Sequence, residues 1–330
     1  MNRRKFVITS TISMLVIVAV VAGLSFFSNF AARAFVQEVP RAVHHLPADS
    51  QAVFGINVQK FVASPVYAIF MQKHGQEVGA DLGEFINATG VDPRTDIDYI
   101  IAAGRPSQQK GAGVVIAVGR FDANRITAFI NTKSTPIALE YKGARVLMIP
   151  EANGARLEKG IAFLGSSEMA LGDLESLHAV IDVRGGFPGI DSNATLTSLL
   201  QNLNAADMFW FAGDGASIMA KAPANTPLGP TLSAIQSIFG TLNLTTTVNG
   251  KITVTATDMK AAGQLSDFVK GLLALGQLAG SQSPELAQLV QTVQVAQPAG
   301  SSQFEITVNF PIDLLQKLQE STSHLKGQIK

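Results

Sequence analysis

The chain has 330 residues, 47% of them hydrophobic and only 15% charged, with 25 basic residues against 25 acidic ones. That much apolar material builds a sizeable core in one large domain or two ordinary ones, while a formal net charge of +0 leaves no basic face to neutralise phosphates and excludes nucleic acid as a natural partner. Cysteine is absent, which removes disulfides, thiolate metal sites, cysteine nucleophiles and a lipid-modified N-terminal cysteine.

Residues 1–5, Met-Asn-Arg-Arg-Lys, precede an uncharged run over 6–27, FVITSTISMLVIVAVVAGLSFF. At about 1.5 Å per residue such a run spans roughly 30 Å, the thickness of a bilayer core. Arg3, Arg4 and Lys5 hold that end in the cytoplasm. The reading is a cytoplasmic tip (1–5), a transmembrane anchor (6–27) and an extracytoplasmic remainder, periplasmic or extracellular. A secretory signal is the rival, with Ala32-Arg33-Ala34 as its cleavage site, but the run exceeds the roughly 7–15 residues of a signal core.

Residues 28–45 read as a connector. Within RAVHHLPADSQAVFGINV (41–58), His44 and His45 precede Asp49. A zinc site needs three or four ligands on a rigid frame, and the other histidines, His74, His178 and His324, stand at no ligand-like spacing. The pair, flanked by Pro40 and Pro47, is therefore expected to hold no metal and to be dispensable for folding. VFGINV then alternates, with Phe54, Ile56 and Val58 on one face of a half-buried strand. FVASPVYAIFMQKHG and EVGADLGEFINATG read as helical, and DYIIAAG and GVVIAVGRF as strands. Asp122 is expected to cap a helix burying Ile126, Phe129 and Ile130. IALEYKGARVLMIP reads as a hairpin turning at Lys142-Gly143, IAFLGSSEMALG as a strand pair, and Leu174 to Ile181 as a helix.

The second half uses the same grammar. MFWFAGDG is strand-like and PLGPTLSAIQSIFG contains a helix. In LNLTTTVNGKITVTAT, Asn249-Gly250 predicts a type I′ hairpin turn. Leu242, Leu244 and Val248 alternate with Asn243, Thr245 and Thr247, so one sheet face is expected to be wet and the other covered by helices. A helix burying Leu265, Phe268, Val269, Leu272 and Leu273 follows. A second, capped by Ser283 with Pro284 at its first position, buries Leu286, Leu289, Val290 and Val293. SQFEITVNF is a strand, and Pro311 opens a last helix.

RITAFI and QLSDFV, and likewise Asp173-Leu174 and Asp313-Leu314, lie about 140 positions apart, as an internal repeat requires. The fold class expected is α+β. Two related halves, 46–185 and 193–320, each form an antiparallel sheet covered by helices. Residues 186–192 are the linker and 321–330 a tail.

No catalytic signature is present: G-x-S-x-G, H-E-x-x-H, G-x-x-x-x-G-K and G-x-G-x-x-G after a strand are all missing. Ser217 and Lys221 stand four apart rather than three. Asp92, Asp96 and Asp98 in VDPRTDID match no calcium loop and read as a turn and a solvated strand entry. Asn87, Asn193 and Asn243 begin Asn-x-Thr triplets that matter only in a glycosylating host. No catalytic, cofactor or metal residue is assigned.

LPADSQAVFGINVQKFVASP (46–65) and GVDPRTDIDYIIAAG (90–104) resemble the openings of uncharacterised, membrane-anchored bacterial envelope proteins, whose exported domain begins with an LPAD-type segment followed by a G-x-DP-x-x-D-I-type stretch. The resemblance spans about a third of the soluble part. It implies an envelope location, no known activity and no functional residue to transfer.

The preferred function is non-catalytic: an anchored extracytoplasmic protein binding an apolar ligand or a protein partner. Phe209-Trp210-Phe211 and the leucine-rich helices at 261–293 are candidates to line a groove, although such stripes more often face a core. A hydrolase assembled from distant residues such as Asp214 and His178, and a structural role in an envelope complex, are the alternatives.

Overall fold

The computed structural model describes residues 39–106, 113–150, 157–215, 232–279, 284–314 and 317. Their strands are β1 (Ala52–Asn57), β2 (Ile97–Gly104), β3 (Gly113–Gly119), β4 (Ile137–Tyr141), β5 (Ala144–Pro150), β6 (Leu157–Phe163) and β7 (Glu168–Gly172). There follow β8 (Phe209–Asp214), β9 (Ile235–Leu244), β10 (Thr247–Ala256), β11 (Val293–Ala296) and β12 (Gln303–Pro311). They form one sheet in the order β11-β12-β10-β9-β8-β1-β2-β3-β7-β6-β5-β4, each neighbouring pair antiparallel. The class is α+β. The expected pair of sheets is instead one continuous sheet, because β1 and β8 pair directly, Gly55 opposite Trp210 and Ile56 opposite Phe209. On either side of that seam the strands run in the same succession, β1-β2-β3-β7-β6 and β8-β9-β10-β12-β11; β5 and β4 extend the first side alone.

The helices are α1 (Val58–Val62), α2 (Pro65–Thr89), α3 (Pro93–Asp96), α4 (Ala123–Lys133), α5 (Leu174–Arg184), α6 (Ala194–Gln201), α7 (Met259–Ala279) and α8 (Pro284–Gln291). The two segments read as helical before Gly90 are largely one 25-residue helix, α2. Ser64 accepts from the Tyr67 amide at its start, and Gly90, at φ 76°, terminates it in the left-handed conformation. Asp122 caps α4 by accepting from the amides of Asn124 and Arg125, and Ile126, Phe129 and Ile130 are buried as the spacing predicts.

Neighbouring residues of the central strands feed different cores, since successive side chains leave opposite faces of a strand. Ile100 packs with Phe61, Phe85 and Phe129, while Ile101 packs with Val43, Leu177, Leu196 and Trp210. The centre of the sheet is thus covered on both faces. The wet face survives farther out, where Lys251, on β10, pairs with Glu305, on β12.

Two turns test the hairpin chemistry. Lys142 (φ 50°) and Gly143 (φ 80°) close β4 onto β5 with both central residues left-handed, as type I′ demands. The Asn249-Gly250 turn is a wrong expectation. Both residues lie inside β10, opposite Asn309 and Val308, and the chain turns at Thr245-Thr246. Burial decides it: Val248 is 1% exposed and faces Phe310, whereas a turn at 249–250 would leave it at a hairpin tip.

The connector and linker boundaries also change. Residues 41–45 form a 3₁₀ turn that buries Ala42 and Val43, followed by fully buried Leu46. The segment expected to be a linker folds against it. Pro47 bridges Gly189, the Ile190 amide donates to the Leu46 carbonyl at 2.8 Å, and Ile190 is 1% exposed. Ala42, Val43, Leu46 and Ile190 have lower free energy in the core than in solvent.

Candidate functional site

The residues with chemical potential are dispersed. His44 Nδ1 lies 2.7 Å from Asp191 Oδ1, an exposed pair. His45 Nδ1 lies 3.0 Å from Glu168 Oε2, which Arg184 Nη1 also approaches at 2.6 Å. Burial pushes the Glu168 carboxyl up, but the contact with His45 and the charges of His45 and Arg184 outweigh it and hold the group below the usual glutamate range. Each histidine thus faces a carboxylate from a different part of the chain, and the pair fastens residues 41–46 to the domain. Asn193 adds to the same fastening. Its Oδ1 caps α6 at the Leu196 amide, and its Nδ2 donates to the carbonyls of Ala48 and Ser50.

The three aspartates after Val91 are divided. Asp92 caps α3 and forms a two-point pair with Arg94, whose hydrogen bond holds its carboxyl below the ordinary range. Asp96 accepts from the Asp92 amide and from Arg120, which lowers it likewise. Asp98 is exposed on β2. Among the described residues no group of three His, Asp or Glu side chains is arranged to hold a metal ion.

His178 and Asp214 have separate surroundings. The imidazole stacks on Tyr141 with ring centroids 3.8 Å apart, beside Asp182, which takes Lys142 Nζ at 2.7 Å. Asp214 ends β8 opposite Ser237. Ser217, Lys221 and His324 lie outside the described residues, as does the anchor at 6–27. Among described residues no helix is long and apolar enough to cross a membrane. Of the Asn-x-Thr residues, Asn87 is exposed on α2, while Asn243 bridges the Met208 amide and Asp207.

The aromatic run proves to be core. Phe209 belongs to one core layer and Trp210, 0% exposed, to the other. The leucine-rich helices are the larger surprise. The first half of α7 packs as expected, with Ala262 at 0% and Leu265 at 2% exposure. From Lys270 to Leu278, however, no residue is buried. Leu272, expected in the core, is 50% exposed, and Leu275 and Leu278 reach 63% and 73%. In α8 only Val290 is buried, and Val293 belongs to β11. Spacing alone gives no sign of this, because a leucine stripe reads as core by default. A signal was available all the same: no charged residue stands between Lys270 and Glu285, whereas a helix lying flat on a core carries charge on its other side.

No protein-family model matches the chain, and no curated protein is similar to it in sequence. Among solved structures, crystal form III of TP0453 aligns with TM-score 0.49 and 8% identity over 88% of this chain and 100% of that one. Crystal form I of the same protein aligns at 0.47 and 7% identity, over 86% and 97%.

Proposed function

We propose that this is a membrane-anchored extracytoplasmic protein of the cell envelope that binds an apolar ligand or a protein partner without catalysing a reaction, built from two related α+β halves. The observation that carries the binding is the C-terminal half of α7, where three leucines at 50–73% exposure share a helix surface with Gly271 and Ala274 and no charge. Exposed apolar surface gathered in one place marks an interaction site rather than chance. The anchor rests on the uncharged length of 6–27 and the cations before it. The kinship of the halves is supported by the shared strand succession on either side of the seam.

A photo-reactive residue at position 275 in the full chain, activated in intact membranes, tests the binding. Covalent adducts to an apolar ligand, membrane lipid included, or to one discrete protein are expected. A chain that reacts only with water would refute a binding role for this surface.

The hydrolase alternative has no comparable support, since His178 is engaged by Tyr141 and Asp214 sits in a strand register with Ser237.

A further inference from the structure

We infer that the leucine ridge of α7 lies in the interfacial layer of the bilayer that residues 6–27 anchor, so that the apolar ligand of this surface is membrane lipid. The inference rests on the membrane-anchored reading above. Leu272, Leu275 and Leu278 follow one another at three-residue steps, which sets them along one side of a helix. The opposite side carries the packing: Ala262, Leu265 and Ser266 are buried, Gly276 lies against Val290 of α8, and beyond Lys270 the described residues of α7 are not buried. Lys270 marks the boundary with a half-exposed side chain whose ammonium lies 3.5 Å from the exposed carboxylate of Asp267; a lysine of this kind lays its stem along apolar surface and keeps its charge among headgroups.

Other occupants fit less well. A stable interface between two copies takes about 20–30 residues a side, and three exposed leucines fall far short. A small apolar molecule needs a site that buries most of its surface, and leucines left 50–73% exposed do not enclose one. A bilayer imposes no minimum area. Residues 28–38, at about 3.5 Å each, tether the domain within roughly 40 Å of the anchor, so a contact too weak for a free protein is sustained by effective concentration. The absence of acidic residues between Lys270 and Glu285 spares the ridge repulsion from anionic headgroups.

The absence of cysteine makes the test direct. The full chain carrying Leu275→Cys, or Leu272→Cys as a second site, is labelled with one environment-sensitive fluorophore and reconstituted into phosphatidylcholine–phosphatidylglycerol vesicles containing lipids spin-labelled high on the acyl chain. Ile137→Cys, on the edge strand β4 and 45% exposed, is the control. A blue-shifted emission quenched at least twofold by the spin-labelled lipid is expected at 275 and 272, with no quenching at 137. Emission that is water-like at 275 while the vesicles float with bound chain overturns the lipid contact and leaves the anchor standing. Blue-shifted but unquenched emission means that protein covers the ridge, and also overturns it. A chain that does not float with the vesicles removes the anchored reading and this inference together. Unchanged emission of Trp210 confirms that each labelled variant is folded.

Discussion

The β1–β8 seam makes one sheet of the two sides, and Gly55 is its most exposed point to perturbation. The residue lies opposite Trp210, whose ring crosses it so closely that a Cβ on Gly55 would fall 2.0 Å from Cε2 and Cζ2. Trp210 has no room to retreat, being 0% exposed and enclosed by the same core layer as Leu196, Leu199 and Leu203. Gly55→Ala therefore forces an overpacked ring off its rotamer or strains the strand pair, at about 1–3 kcal/mol. For a domain of this size that lowers Tm by about 2–4 °C per kcal/mol. Trp210 is the chain's one tryptophan, so its fluorescence in a thermal melt reports on the seam itself. Trp210→Phe costs something on its own through a cavity, but Gly55→Ala should cost less in that background than in the parent, a comparison made by circular dichroism. A Gly55→Ala chain within about 0.5 kcal/mol of the parent, or equal costs in the two backgrounds, would refute the claim that this contact is close-packed.

Asn193→Ala removes a helix cap and two bonds that fasten residues 48–50, and should lower stability by about 2 kcal/mol in a denaturant titration; His44→Ala, losing only an exposed pair, should stay within about 0.5 kcal/mol. Glu168 has a folded-state pKa below its ordinary 4.5, so its contribution is present above that value and fades as pH falls through the lower folded value. Melting temperatures of Glu168→Gln measured from neutral pH downward should lie below the parent's at pH 7 and converge on it under acid. Gly143→Val, placed at φ 80°, should cost about 1–2 kcal/mol by thermal melt and leave the α7 labelling pattern unchanged.

Local chemistry was legible where it acts alone. Asp122 and Pro284 open helices, and Lys142-Gly143 turns a hairpin, because helix starts and left-handed turns depend on residues a few positions apart. Asn249-Gly250 failed as a turn because the partner strand β12, some sixty positions away, draws both residues into its ladder and buries Val248. The joining of the two sides through Gly55 and Trp210 is equally non-local, and nothing near either residue announces it. At the candidate site the leucines of α7 were visible but their direction was not. A stripe shows which residues share a side, not whether a sheet lies beneath it, and after Val269 the packing of α7 passes to α8, with Gly276 against Val290. The histidines show the converse. With Asp191 and Glu168 more than a hundred positions away, the stretch read as a passive entry is one end of a clasp.

The proposed membrane attachment depends on residues 6–27 remaining in the protein and in the membrane. Fractionation of cells producing the full chain, with a carbonate wash and N-terminal sequencing of the product, tests this most directly. The chain is expected to resist the wash and to retain its sequence through Arg3, Arg4 and Lys5. A product beginning at Phe35, after Ala32-Arg33-Ala34, and released in soluble form would contradict it.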